Sequence, residues 1–325
     1  MRDNQVCPAQ GGNGMEGWHS ITFNALGTVC RFAAPVWDDV LLRTVRQWVR
    51  ERDDDWSVFK EDSEVSRLNR AAGRTWTPLK PDTMALLREA KDCAAMTGGA
   101  FAVTSGPLTA LWRQALASGI PPAEAAVRAA LDLVDDADVL LRPETGEVML
   151  RRPGQQIDLG GIAKGFAADR VRDILLEGGV TEALIDLGGT VWILGGSAPV
   201  GIRHPQPGTD RIMGRFTVHD GAVVTSGTYE RYVRRGDRLY HHVIDCRTGN
   251  PAQSGLCSVT LAGAPAVRLD ALATAFLVTG AAAALPVLQR QGWEGVFVTD
   301  GYDVLATPGL KDNLQLLGKD DFHAT

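Results

Sequence analysis

The segment Ile157-Asp158-Leu159-Gly160-Gly161-Ile162-Ala163-Lys164-Gly165-Phe166-Ala167-Ala168-Asp169 constrains this chain more than any other stretch. It reads as an apolar strand end that passes through two glycines straight into a helix. Glycines at such a turn let a ligand approach the backbone, and the first turn of the helix offers unpaired N–H groups to an anion. Lys164 adds a point charge, and Asp158 can accept hydrogen bonds from a ring or a ribose. The same residues also suit a tight β-to-α turn with a solvated lysine, and the turn by itself does not choose between the two. Neither GxxxxGK[ST] nor GxGxxG is present.

A second segment, Arg268-Leu269-Asp270-Ala271-Leu272-Ala273-Thr274-Ala275-Phe276, places Asp270 and Thr274 four residues apart in an otherwise apolar helix. That spacing puts both oxygens on one face. A carboxylate and a hydroxyl are hard ligands suited to Mg²⁺. Alternatively Asp270 is an N-terminal cap and Thr274 bonds back to a helical carbonyl. A third segment joins Thr225-Ser226-Gly227-Thr228-Tyr229-Glu230-Arg231-Tyr232 to Tyr240-His241-His242-Val243-Ile244-Asp245-Cys246-Arg247-Thr248-Gly249. Here His242 sits beside a polar turn carrying Asp245 and Thr248, a setting for a general base; it could equally be an ordinary strand residue. Two adjacent histidines without a third ligand argue only weakly for zinc.

Around these segments helical and strand signals alternate. Residues 21–32 read as a first strand, and residues 37–53, 81–96 and 122–133 as helices. A hairpin is expected over 139–141 and 147–150, then a strand into Ile157, a helix over 162–177 and a strand over 183–186. Strand-rich sequence follows through 191–194 and 200–244. The chain closes with a strand at 258–261, helices at 269–278 and 281–291, and a hairpin at 295–299 and 304–306. No Pro/Ser-rich linker and no repeat of 20–50 residues interrupts this order, so one continuous mixed α+β domain is expected over 18–325, preceded by a disordered segment over 1–17.

Charge and cysteine content narrow the function classes. With 33 Lys+Arg against 39 Asp+Glu the net charge is −6, and no basic stripe appears, so nucleic acid is not an expected partner. The first 20 residues hold no apolar run, Cys7 has no apolar stretch before it, and no window of 18 apolar residues exists. A cytoplasmic location without a membrane span is expected. Five cysteines, Cys7, Cys30, Cys93, Cys246 and Cys257, form no CxxC pair, which suits reduced thiols better than a disulfide scaffold or a zinc site.

Taken in order, the three segments resemble the FAD:protein FMN transferase family, ApbE, whose pattern runs through DLGGIAKG, TSGDYER, HxIDPxTG and ADxxxT. Ala25-Leu26-Gly27-Thr28 is similar to the family's opening MGT. Trp56-Ser57-Val58-Phe59 through Ser63-Glu64-Val65-Ser66-Arg67-Leu68-Asn69 is similar to its S-x-aromatic and S-x-x-x-x-x-N segment, and Thr97-Gly98-Gly99-Ala100-Phe101-Ala102 to its TxGAFD. The likeness covers roughly residues 21–305. It implies an ApbE-like, T-fold-related α+β domain with an antiparallel-rich sheet and flanking helices.

The resemblance further implies Mg²⁺ bound by the Gly161 carbonyl, Asp270 and Thr274. FAD contacts are implied at Leu26, Phe59, Ala100, Phe101, Ala102, Asp158, Lys164 and Ile244. The implied reaction moves FMN from FAD to a threonine hydroxyl of an acceptor flavoprotein and releases AMP. Mg²⁺ and Lys164 offset pyrophosphate charge, and His242 or a nearby carboxylate takes the proton. Departures from the pattern are Ala102 and Thr228 for Asp, Cys246 for Pro and Leu26 for Met. Loss of the carboxylate at 102 is expected to pass its contacts to neighbouring groups or to loosen FAD. The same residues also allow an FAD pyrophosphatase, in which water replaces the hydroxyl, or a flavin-binding protein without activity.

Overall fold

The computed structural model describes residues 17–36, 38–206, 208–209, 211–235, 238–317 and 323–324. The segment expected to be disordered therefore lies, up to residue 16, outside the described residues, as does Cys7. A ten-stranded sheet forms the centre. Its strands neighbour one another in the order His19–Ala25, Thr28–Ala34, Ala183–Asp186, Thr190–Arg203, Ile212–Gly227, Leu256–Gly263, Glu294–Thr299 and Asp303–Ala306. Each of these pairs is antiparallel. Short strands Gln315–Leu316 and His323–Ala324 add to it, the last in parallel.

Period-two alternation divides the apolar side chains between two faces. Ala183, Ile185, Trp192 and Leu194 point into the larger core, while Leu184, Val191 and Ile193 enter a smaller one behind the sheet. The larger core is covered by helices α1 (Asp39–Trp56), α2 (Glu64–Ala71), α3 (Pro81–Met96), α6 (Ala163–Glu177) and α7 (Ala266–Thr279). Helices α4 (Gly106–Ser118) and α5 (Glu124–Leu131) enclose a third cluster with Ile244. Among the described residues, no helix is long and apolar enough to cross a membrane.

Most expected elements are present, with boundaries moved by a few residues. Two differ in kind. The expected strand over 21–32 is a hairpin, because Leu26 and Gly27 both adopt positive φ, 52° and 72°, the geometry of a two-residue turn. No strand leads into Ile157. Gln156 makes only an isolated parallel bridge to Ser105, and Asn69 holds Ile157 itself, its side-chain oxygen accepting from the Ile157 N–H at 2.8 Å and its amide donating to the Ile157 carbonyl at 3.0 Å. A side-chain amide thus satisfies the backbone that a partner strand would otherwise pair.

Helices α6 and α7 hold each other's starts by exchanging caps. Pro265, at the start of α7, offers no side-chain cap, and Asp169 from α6 accepts the Ala266 and Val267 N–H groups at 3.0 and 2.9 Å instead. In return Asp270 from α7 accepts the Gly165 N–H, in the first turn of α6, at 2.8 Å. Burial pushes the Asp169 carboxyl pKa upward, against hydrogen bonds from Trp192, Val267 and Ala266 that favour its charged form.

The two helices approach so closely at Gly165 that a Cβ there would lie 2.4 Å from the Ala266 carbonyl oxygen and 2.7 Å from the Val267 Cα. Both obstacles are backbone and cannot rotate away. Gly165→Ala is therefore expected to lower the unfolding free energy by about 3 kcal/mol, read as a drop in denaturation midpoint. An unchanged midpoint would show that the helices separate without cost.

Candidate active site

A cleft of about 990 Å³ opens between the first hairpin, the end of α1, α4, the glycine turn, α7 and the segment around His242. Every residue to which the resemblance gives a metal, FAD or catalytic role lines it: Leu26, Phe59, Ala100, Phe101, Ala102, Asp158, Gly161, Lys164, His242, Ile244, Asp270 and Thr274. These residues span more than two hundred positions of sequence, and only the tertiary fold brings them together.

At one end lie the exchanged helix caps. Asp270 is 3% exposed. Its Oδ2 is committed to the Gly165 N–H, whereas Oδ1 faces Lys164 Nζ at 3.9 Å. Thr274 follows one turn later, its hydroxyl 3.3 Å from Ser226 Oγ and 3.4 Å from the Asp270 carbonyl. Asp270 therefore does not cap its own helix, because α7 already starts at Ala266; it caps α6. Gly161 abuts this pair, since a Cβ there would stand 3.7 Å from the Thr274 hydroxyl and 3.3 Å from the Phe101 ring. Among the described residues, no three His, Cys, Asp or Glu side chains converge as a metal cluster; Asp270 has neutral oxygens for company.

At the glycine turn, Asp158 is held from both sides. Its Oδ1 accepts the Gly160 N–H at 2.9 Å, and its Oδ2 accepts the Thr109 hydroxyl at 2.8 Å. Leu26 is set by the hairpin turn, its N–H donating to Asp53 Oδ1 at 2.8 Å. Ala100, Phe101 and Ala102 follow the end of α3 through Gly98 and Gly99, both at positive φ.

Along the remaining wall stands His242, with Nδ1 3.4 Å from the Arg231 carbonyl and Nε2 3.8 Å from Glu230 Oε2. Burial first, then the charges of Arg231, His241 and Lys164, lower its pKa to about 4, with the Arg231 carbonyl hydrogen bond opposing. Its imidazole is neutral at pH 7, with 29% of the side chain open to the cleft. His241 has the other role: it is buried, with Nε2 3.1 Å from the Ala252 carbonyl. Asp245 forms the expected turn, accepting the Thr248 N–H at 3.1 Å through its carbonyl.

Of the four departures from the family pattern, Leu26 lines the cleft at the hairpin turn and the other three fall in two further places. Ala102 and Cys246 both line the cleft, and the Cys246 thiol, hydrogen-bonded to the Ala102 backbone, is pushed up to about 12 by burial. A neutral thiol and a methyl group therefore face the cleft there. Thr228 is buried, its N–H donating to the Cys257 carbonyl at 3.0 Å, and does not line the cleft.

The sequence reading missed helices α2 and α4, of which α4 lines the cleft. Pro107 near its start and Gly119 in the left-handed conformation after its end are the signals that could have found it. Trp112 on this helix donates its indole N–H to the Gly249 carbonyl at 2.7 Å and stacks on Tyr240 at 5.9 Å. These contacts tie α4 to the His242 wall.

The comparisons with known proteins agree with this arrangement. The FAD:protein FMN transferase of Klebsiella pneumoniae (strain 342) is 35% identical over 269 residues, covering 82% of this chain and 85% of that protein. The FAD:protein FMN transferase of Treponema pallidum (strain Nichols) is 33% identical over 320 residues, covering 90% and 87%. The crystal structure of the ApbE protein from Thermotoga maritima superimposes with a TM-score of 0.80 at 28% identity, over 91% of this chain and 99% of that one. Residues 26–297, which include every candidate site residue from Leu26 to Thr274, match the ApbE family, and the chain belongs to that family.

Proposed function

We propose that this chain transfers FMN from FAD to a threonine hydroxyl of an acceptor flavoprotein, with release of AMP. The observation that carries the reading is the convergence in one cleft of every position to which the family resemblance gives a metal, FAD or catalytic role, with Asp158, Lys164, Asp270 and Thr274 unaltered. Relatives at 33–35% identity bear the name of this activity. In the reaction, the hydroxyl oxygen attacks the FMN-side phosphorus. The bond from that phosphorus to the bridging oxygen breaks, and AMP leaves with the bridging oxygen.

Each residue has a task in that scheme. Asp158, fixed by Thr109 and Gly160, meets polar groups of the dinucleotide. Lys164 faces the pyrophosphate charge, whereas the Ala163 and Gly165 N–H groups of the first turn of α6 are already taken by the Leu159 carbonyl and the Asp270 carboxylate. His242, neutral at pH 7, takes the hydroxyl proton on its unprotonated nitrogen. The donor chemistry at α7 fits Mg²⁺: Asp270 Oδ1, the Thr274 hydroxyl and the Gly161 carbonyl are hard oxygens, and one carboxylate with neutral oxygens is an ordinary Mg²⁺ complement. When bound there, Mg²⁺ would offset charge on the phosphates.

The test mixes the protein with FAD, Mg²⁺ and candidate acceptor flavoproteins. The acceptor is expected to gain the mass of one FMN phosphoester as AMP appears in equal amount. AMP and FMN formed equally fast without any acceptor would instead identify a pyrophosphatase. No AMP with any acceptor would exclude both activities.

A further inference from the structure

Arg113 lies outside every motif of the sequence, yet it touches two residues of the cleft. It stands one turn after Thr109 on α4, on the same helix face. Its Nη2 is 3.4 Å from Asp158 Oδ2, the oxygen that Thr109 also holds. Its guanidinium carbon lies 4.6 Å from the centre of the Phe59 ring. Phe59 is 72% exposed, so core packing does not fix that ring. Its backbone is anchored by an N–H bond to Ser57 Oγ at 3.1 Å, and the guanidinium supplies a brace for the side chain.

The same residues divide two spaces. Beside the main cleft lies a smaller chamber of about 300 Å³, and Phe59, Thr109, Arg113 and Asp158 line both. An aromatic ring held by a cation on one face, at the wall of a cleft, is a platform for a planar ring on its other face. A guanidinium is suited to the task because it is planar, always charged and able to stack while also binding a carboxylate.

We propose that Arg113 is a positioning residue of the nucleotide site, holding Phe59 as a stacking face for a planar heteroaromatic ring of the dinucleotide and fixing Asp158 beside it. This inference rests on the FAD reading of the cleft. Both ends of FAD carry such a ring, so the test separates isoalloxazine from adenine.

Wild type, Arg113→Ala and Arg113→Lys are titrated calorimetrically with FAD, FMN, AMP and inorganic pyrophosphate, and KM and kcat for FAD are measured. For Arg113→Ala, FAD affinity is expected to fall about five-fold, the size of a surface cation–π contact, with KM rising to match and kcat unchanged. Arg113→Lys, which keeps a cation over the ring, is expected to restore part of the loss. Greater weakening of FMN or AMP than of pyrophosphate supports the proposal, and the mononucleotide affected names the ring. A loss shared equally with pyrophosphate would put the guanidinium on phosphate and overturn it, as would no loss at all. Should Arg113→Ala fail to fold, a double-mutant cycle of Arg113→Lys with Phe59→Leu reads the same coupling, and additive effects overturn the proposal. A wild type that binds no FAD would defeat the FAD reading itself, a different result from a wild type that binds while its Arg113 variants bind equally well.

Discussion

Asp270→Asn is expected to slow FMN transfer about 100- to 1000-fold, the cost of removing one preorganised electrostatic group from an active site, while the protein stays folded. The reasoning lies in how Asp270 divides its two oxygens. Oδ2 caps α6 through the Gly165 N–H, and Oδ1 faces Lys164 and the cleft. Asparagine can keep its carbonyl oxygen on the Gly165 N–H, so the cap survives and only the charge is lost. Asp270→Ala removes both and leaves a buried N–H without a partner, which adds about 1–3 kcal/mol of destabilisation. Comparing the two variants separates charge from cap. Transfer rates by mass spectrometry and unfolding midpoints decide it; an Asp270→Asn protein that transfers at the wild-type rate would remove Asp270 from the mechanism.

His242→Ala is expected to cost about 100-fold or more in kcat, the usual contribution of a general base, with FAD affinity little changed. The pH dependence gives an independent check. The His242 pKa falls to about 4 through burial and then the neighbouring cations Arg231 and Lys164, with Glu230 3.8 Å away as the facing carboxylate. The neutral form that can accept a proton is therefore present throughout the range above pH 6. Wild-type transfer should be flat with respect to this group from about pH 6 to 8 and should decline as pH falls toward 4. Stability follows the same sign: the folded pKa lies below the unfolded value, so the unfolded chain binds the proton first. The contribution of His242 to stability is complete above the unfolded value of about 6.5 and is lost as pH falls through the folded value. A rate that keeps rising between pH 6 and 8 in wild type but not in His242→Ala would contradict the lowered pKa.

Much of the site was legible because its motifs are local. The glycine turn, the four-residue spacing of Asp270 and Thr274, and the His242 turn each occupy a dozen residues or fewer, and periodicity located the helices and strands that carry them. Identity and spacing were enough to name the residues. They were not enough to choose between chemistry and plain structure: Asp270 could have been a cap of its own helix, and the lysine could have been solvated. The fold also corrected two details for local reasons. Positive φ at Leu26 and Gly27 turned one expected strand into a hairpin, and Asn69 took the hydrogen bonds of a strand expected before Ile157.

Thus the sequence by itself determined most of the elements, the family and the residues at issue, since helical spacing and turn chemistry act over a few positions. Tertiary structure alone decided that Asp169 and Asp270 cap each other's helices, that Thr228 faces the sheet while Cys246 faces the cleft, and that α4 brings Thr109 and Arg113 to Asp158 and Phe59. The cap and α4 contacts join residues 45 to 105 positions apart, where only packing of whole elements sets the distance between side chains.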